Sequence, residues 1–246
     1  MQVKRDGTMA HPIMVEPLPK ASSWAERPPL HAGDRLSRFE FERRYEAHPE
    51  IKKAELIDGV VYMPSPARFT DHAEPHAQMM TWLGVYAAAT PGVRGGDNAT
   101  VRLDLETEVQ PDGLLRLEPE LGGRSRVTED HYLEGPPELV LEIAASSASY
   151  DLHAKLRVYQ RSGVEEYIAV QMYERRLDWF RLREGVYQPL QPDASGILGS
   201  EILPGLCLNP TAFWAGDMAQ VLATLQEKLD SPEHVAFVAS LQTRRS

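Results

Sequence analysis

One cysteine, Cys207, is the whole thiol content of this 246-residue chain. No disulfide can close within it, and a reducing compartment is expected. Long apolar runs are also missing. The best of them, over 79–89, is about half the ~20 residues that a membrane-crossing helix needs. Residues 1–35 lack the apolar centre of a signal peptide. Cytoplasmic residence without membrane contact is therefore the expectation. Positive charge is short as well: 26 Lys and Arg stand against 36 Asp and Glu, a net charge of -10. That excludes a protein that grips nucleic acid with its whole surface. It leaves room for a local basic groove, or for acids gathered around divalent ions. Basic residues adjoin only briefly, as in Arg43-Arg44, Arg175-Arg176 and Arg244-Arg245, and no internal repeat is present.

The remainder is ordinary globular composition, 42% hydrophobic and 25% charged, enough for a sizeable core in one large domain or a domain with appendages. Residues 1–30 hold five prolines, at 12, 17, 19, 28 and 29, and little periodicity, which reads as a mobile tail. Leu36, Phe39, Phe41 and Tyr45 predict a short helix over 36–48, ended at His48-Pro49. Asp58-Gly59 marks a turn from which 60–63 leave as a strand. A helix over 74–90 takes Pro75 in its first turn, puts Ala73, Ala77, Met80, Leu83 and Ala87 on one face, and stops at Pro91-Gly92. Strands are predicted over 99–105 and 114–117.

Glu138-Leu-Val-Leu-Glu142-Ile is a near-continuous apolar run of the kind that forms a strand covered on both faces. A helix over 151–162 follows, with Leu152, Leu156 and Tyr159 inward, Ser149 as N-cap and Gly163 just past its end. Next come a strand over 166–171 and a hairpin of 177–182 with 186–190 through Arg183-Glu184-Gly185. Asn209-Pro210 and Ser231-Pro232 read as caps followed by first-turn prolines. Between them Met218, Val221, Leu222, Leu225 and Leu229 make an apolar stripe through which two copies could pair as a homodimer.

Glu142 is the residue that needs explaining. An ionised carboxylate in a buried strand needs a cation, a metal or a set of hydrogen bonds. Asp112, after Pro111, and Lys155, on the following helix, are the companions that chemistry suggests. Two carboxylates can share a hard divalent cation, and a bound metal with an ammonium beside it can acidify water and stabilise charge on a phosphate. Each residue alone has a plainer reading. Pro-Asp is common in turns, Glu142 can pair with a base across the sheet, and Lys155 can face solvent as the i,i+4 partner of Asp151. His72 and His76, four apart, read as a surface pair at a helix start rather than as metal ligands. Tyr159 and Tyr167 read as core.

The sequence resembles the Uma2 family of the PD-(D/E)XK superfamily, a family assigned as endonucleases. The resemblance rests on Glu55-Leu-Ile-Asp-Gly, Val109-Gln-Pro-Asp112, Pro137-Glu-Leu-Val-Leu-Glu142-Ile, Tyr150-Asp151 with Lys155 and Tyr159, Gly163-Val-Glu-Glu-Tyr167 and Pro204-Gly205-Leu206, in that order. It implies a restriction-endonuclease-like α/β core, a central mixed β-sheet flanked by helices, with a C-terminal helical extension. The boundaries are then 1–35 for the tail, 36–215 for the nuclease domain and 216–246 for the extension. It also implies Mg2+-dependent hydrolysis of DNA phosphodiester bonds, with Mn2+ able to substitute. Asp112 and Glu142 would be metal ligands, Glu55 a third candidate ligand, Lys155 the catalytic lysine and Asp151 its support. The superfamily's usual lysine position, two after the second acid, is Ala144 here. The loop after it, Ala144-Ala-Ser-Ser-Ala-Ser, lacks the Ser-Pro-Ser-Thr wording of many relatives. The alternative is a non-catalytic module of nuclease fold that binds protein or nucleic acid.

Overall fold

The computed structural model describes residues 28–63, 68–144 and 149–245, with backbone alone at 149–152. Helix α1 (Arg38–Ala47), capped by the Ser37 side chain, leads to the hairpin of β1 (Glu55–Ile57) and β2 (Val60–Tyr62). The turn between them holds Asp58 at φ 51° and Gly59 at φ 73°. A π-helical turn over Phe69–Ala73 runs into α2 (Glu74–Ala89). Then come β3 (Val93–Asp97), β4 (Val101–Arg102), β5 (Glu108–Val109), β6 (Gly113–Leu117), β7 (Arg126–Val127), β8 (Leu133–Glu134) and β9 (Leu139–Ala144). Helix α3 (Ser149–Ser162) crosses to β10 (Glu166–Gln171), followed by β11 (Arg176–Arg183) and β12 (Val186–Pro189). The short pair β13 (Leu198–Gly199) and β14 (Cys207–Leu208) and the helices α4 (Pro210–Trp214), α5 (Met218–Leu229) and α6 (Pro232–Arg245) close the chain.

A mixed six-stranded sheet in the order β12-β11-β10-β9-β6-β3 lies at the centre. Only β9 and β10 pair in parallel, joined by α3; the other pairs are antiparallel. The strand at its middle is the apolar run around Glu142. Its side chains alternate between two cores, as the pleat requires. Leu139, Leu141 and Ile143 pack under α2 and α5, while Val140 faces α3 and a second sheet. That second sheet, β2-β1-β5-β4-β8-β7, also has six short strands. The chain passes from β5 of the second sheet into β6 of the central one through Gln110-Pro111-Asp112. Helix α3 lies against both, through Ala154, Val158 and Tyr159. The fold is thus the expected mixed sheet flanked by helices, with helices at its C-terminal end. No helix among the described residues is long and apolar enough to cross a membrane.

Several expectations shift. Residues 1–27 lie outside those described, but 28–35 do not run free: Leu30 is buried and the Gly33 N–H donates to Val61 O at 2.8 Å. Packing therefore begins before residue 36. The buried stripe of α2 is Pro75, Met79, Trp82, Leu83 and Tyr86, rotated from the alanine face because the large aromatics take the core positions. Of the strand expected over 99–105 only Val101–Arg102 forms, while a strand at Val93–Asp97 forms without an alternating pattern to mark it. Its Gly95-Gly96 hides the pattern, yet a Cβ on Gly96 would lie 3.1 Å from the Leu114 side chain. The apolar stripe of α5 is covered within the chain, where Val221, Leu225 and Leu229 join the core beneath α2. It offers no face for a homodimer.

Around β5 and α1 a charged knot sits inside the fold. Arg102 Nε lies 2.8 Å from Glu42 Oε1 and 3.5 Å from Glu108 Oε2. Burial first, and then the neighbouring Glu42, push the Glu108 carboxyl up to about 8 from its ordinary 4.5, against Arg102. The folded chain holds that proton where the unfolded chain has lost it, so stability falls as pH rises between those two values. Glu108→Gln, which keeps the neutral shape and a donor toward Glu42, is expected to flatten that loss. Thermal unfolding at pH 5.5 and pH 8.5 measures it: the variant should gain on the wild type only at the higher pH.

Candidate active site

The site forms where the two sheets part. Strands β6 and β9 pair through Gly113↔Leu141, Leu114↔Val140 and Leu115↔Leu139. The next pair outward would be Asp112 and Glu142, but the chain turns away there toward β5. Pro111 has no N–H to give, and Asp112 replaces the lost ladder bond with its side chain: Oδ2 accepts from the Ile143 N–H at 2.8 Å. This fixes the Asp112 carboxylate at the open end of β9. Cross-strand neighbours point to the same face, with Cβ atoms roughly 5 Å apart, so Asp112 and Glu142 share the α3 side of the sheet.

Glu142 is met there by α3. Lys155 and Tyr159, one turn apart, both donate to Glu142 Oε1, at 2.9 and 2.6 Å. Lys155 Nζ also lies 3.0 Å from Glu55 Oε2 on β1, and Glu55 Oε1 accepts from the Gln110 N–H at 2.7 Å. One ammonium thus ties the second sheet, the helix and the central sheet together. All three residues are buried. Burial alone would lower Lys155, but Glu142, Glu55 and Asp112 hold it above its ordinary range. Glu142 is lifted to about 7, by burial first, with Asp112 and Glu55 adding and Lys155 and Tyr159 opposing. The imbalance is simple: one ammonium serves two carboxylates. Asp112 behaves oppositely. Burial works to raise it, yet the hydrogen-bonding His72, with Lys53 and Lys155, keeps it well below the usual carboxylate range.

An outer layer surrounds Asp112, in which Lys53 carries no sequence signal and His72 and His76 carry only their spacing. His72 Nε2 lies 3.4 Å from Asp112 Oδ1, and Lys53 Nζ 3.5 Å from the same oxygen. His76 Nε2 is 3.0 Å from Asp112 O and 3.1 Å from Asp97 Oδ1. The two imidazoles stack, 5.7 Å between ring centres. They are not a free surface pair; they brace Asp112. Their i,i+4 spacing is the signal the sequence does offer, but only the fold shows that this helix start abuts the Pro-Asp turn. Tyr159 and Tyr167 are core as expected, Tyr159 with the added hydrogen bond to Glu142. The Asp151 side chain lies outside the described residues, as does the Ser149 cap.

Whether a divalent ion suits these groups turns on which oxygens are spoken for. Both oxygens of Glu55 have partners, and Asp112 Oδ2 holds the Ile143 N–H. Among the described residues the side-chain bonds to Glu142 all reach Oε1, which leaves Oε2. Among the same residues Asp112 Oδ1 has only two long ion-pair contacts. Two oxygen ligands, with water and substrate completing the shell, suit a hard cation such as Mg2+. No group of three His, Cys, Asp or Glu among the described residues is arranged to hold a metal.

A family model described as "Uma2: Putative restriction endonuclease" matches residues 39–211. The crystal structure of "a putative nuclease belonging to DUF820" from Anabaena variabilis ATCC 29413 is similar over 77% of this chain and 99% of that one. The TM-score is 0.53 at 12% identity, a likeness of fold. No curated protein matches the chain.

Lys155→Met would leave Glu55 and Glu142 facing one another without a counter-charge. Removing one partner of a buried ion pair costs about 3–5 kcal/mol. Glu142, already lifted to about 7 by burial, takes up a proton in acid, so the loss should be large at pH 8 and smaller at pH 5. Urea unfolding at the two pH values measures it; an equal loss at both would refute the charge argument.

Proposed function

The chain belongs to the Uma2 family, and we propose that it is a metal-dependent endonuclease that hydrolyses phosphodiester bonds of DNA. The observation that carries this reading is the neighbouring pair of buried acids, Asp112 and Glu142, at the parting of two sheets with a lysine against one of them. The family's description and the nuclease-like fold support it. Asp112 through Oδ1 and Glu142 through Oε2 would hold Mg2+, or Mn2+ in its place. The ion would supply a polarised water and neutralise charge on the phosphate. Glu55 acts as the anchor of Lys155 rather than as a third ligand, since both its oxygens have partners. Lys155 keeps one N–H beyond its two carboxylate contacts, and it orients the attacking water with that N–H. Tyr159 holds the Glu142 carboxylate to one rotamer. We place the nuclease domain over 36–215, with 28–35 ahead of it and the extension 216–246 after it packed on it.

A binding module of nuclease fold without catalysis is the second reading. Lys155 favours it in one respect, since its ammonium already answers Glu55 and Glu142 without a metal.

Purified protein with Mg2+ or Mn2+ is expected to nick supercoiled plasmid. Asp112→Asn and Glu142→Gln should each slow it about 100-fold or more, while circular dichroism stays native. Nicking undiminished in both variants would overturn the assigned roles. Absence of divalent-ion binding by calorimetry would favour the binding module.

A further inference from the structure

Two ammonium groups approach the carboxylates of the site, and they differ in what they are free to do. Lys155 is buried between Glu55 and Glu142. Lys53, two residues before Glu55 of β1, stands at the mouth, its side chain 27% exposed above an Asp112 side chain that is 4% exposed. Its Nζ lies 3.5 Å from Asp112 Oδ1, an ion-pair separation too long for a good hydrogen bond. The hydrogen bond Lys53 does make, at 2.9 Å, goes to a neutral amide, Asn98 Oδ1.

Asn98 is itself held in place. It sits just past β3 with φ 49°, a left-handed conformation that Asn tolerates. Its Nδ2 donates to Asp97 Oδ1 at 2.7 Å, which turns Oδ1 toward Lys53. The ammonium is positioned by a dipole at 2.9 Å, and among the described residues the carboxylate paired with it, Asp112, stands farther off at 3.5 Å. Two arginines elsewhere on the second sheet and α3 are engaged more tightly: Arg102 lies 2.8 Å from Glu42 and Arg161 2.6 Å from Asp58. In a chain of net charge -10, an anionic substrate needs a local cation that is not already neutralised.

We propose that Lys53, positioned by Asn98, is a substrate-binding residue that donates to a non-bridging oxygen of a DNA phosphodiester, while Lys155 stays within the carboxylate cluster. This rests on the nuclease reading above. A lysine serves phosphate as a compact point charge, and the mouth position lets it meet the strand before the buried acids do.

The test follows binding of a fluorescein-labelled DNA duplex to the full chain by anisotropy, across a range of salt. Ca2+ serves as the hard divalent ion, and the duplex is checked for cleavage after each titration. Lys53→Met is expected to weaken binding about tenfold and to reduce the slope of log affinity against log salt by about 0.9. Lys53→Gln should do the same, so a folding defect in one variant does not decide the matter. Lys53→Arg should keep the slope, and Asn98→Ala should weaken binding with the slope retained, because the charge remains. A wild-type slope in both neutral variants, with DNA binding intact, would overturn the role of Lys53 and leave the nuclease reading standing. A wild-type protein that binds no DNA would overturn both.

Discussion

The fold around the site depends on one buried ammonium. Lys155 reaches from α3 to Glu142 in the central sheet and Glu55 in the second sheet, at 2.9 and 3.0 Å. Three elements that share little continuous backbone hydrogen bonding are thereby held in one register. Such a contact is a poor source of net stability, because desolvating three charges offsets much of their attraction. Its consequence is specificity of arrangement: any shift of α3 along the sheet would leave a carboxylate buried without its cation. The same contact explains why Glu142 is tolerated in an otherwise apolar strand; burial, with Asp112 and Glu55 beside it, is what keeps its carboxyl protonated to near neutral pH, against the pull of Lys155.

The second constraint is the passage of one chain segment between two sheets. Gln110-Pro111-Asp112 leaves the ladder of one sheet and enters that of the other, and two backbone N–H groups freed there are answered by nearby carboxylates. Glu55 takes the Gln110 N–H, and Asp112 takes that of Ile143. A proline is suited to this crossing because it brings no donor of its own. The two acids that satisfy the crossing are also acids of the candidate site. Structure and chemistry here use the same side chains, so the site is as rigid as the fold. Around it the groups fall into two tiers, a buried one of Glu55, Glu142 and Lys155, and an outer one of Lys53, His72, His76 and Asn98 that opens to solvent.

Much of this was legible residue by residue. The doubly covered strand around Glu142, the strand over 166–171 and the hairpin through Glu184-Gly185 follow from short-range pattern. In that hairpin Glu184 and Gly185 both take positive φ, as a two-residue hairpin turn requires. The helix starts at Asn209-Pro210 and Ser231-Pro232 are equally local. The failures have physical causes too. Glycines in β3 carry no periodicity, and aromatics on α2 outweighed the alanines that suggested its inward face. On α5 an apolar stripe shows only that something covers it; here α2 of the same chain does.

The sequence by itself determined the α/β class and the types of most elements, because helix and strand periods and turn chemistry are encoded within a few residues; Asp112, Glu142 and Lys155 stood out in it as candidates, through the family resemblance rather than through any period. Only the tertiary structure decided which oxygen of each carboxylate has a partner, that Glu55 and Glu142 share one lysine, and that His72, His76 and Lys53 gather on Asp112. Those facts join residues as far apart in sequence as Lys53 and Lys155. They depend on where two sheets part and a helix crosses between them, and no local pattern records that geometry.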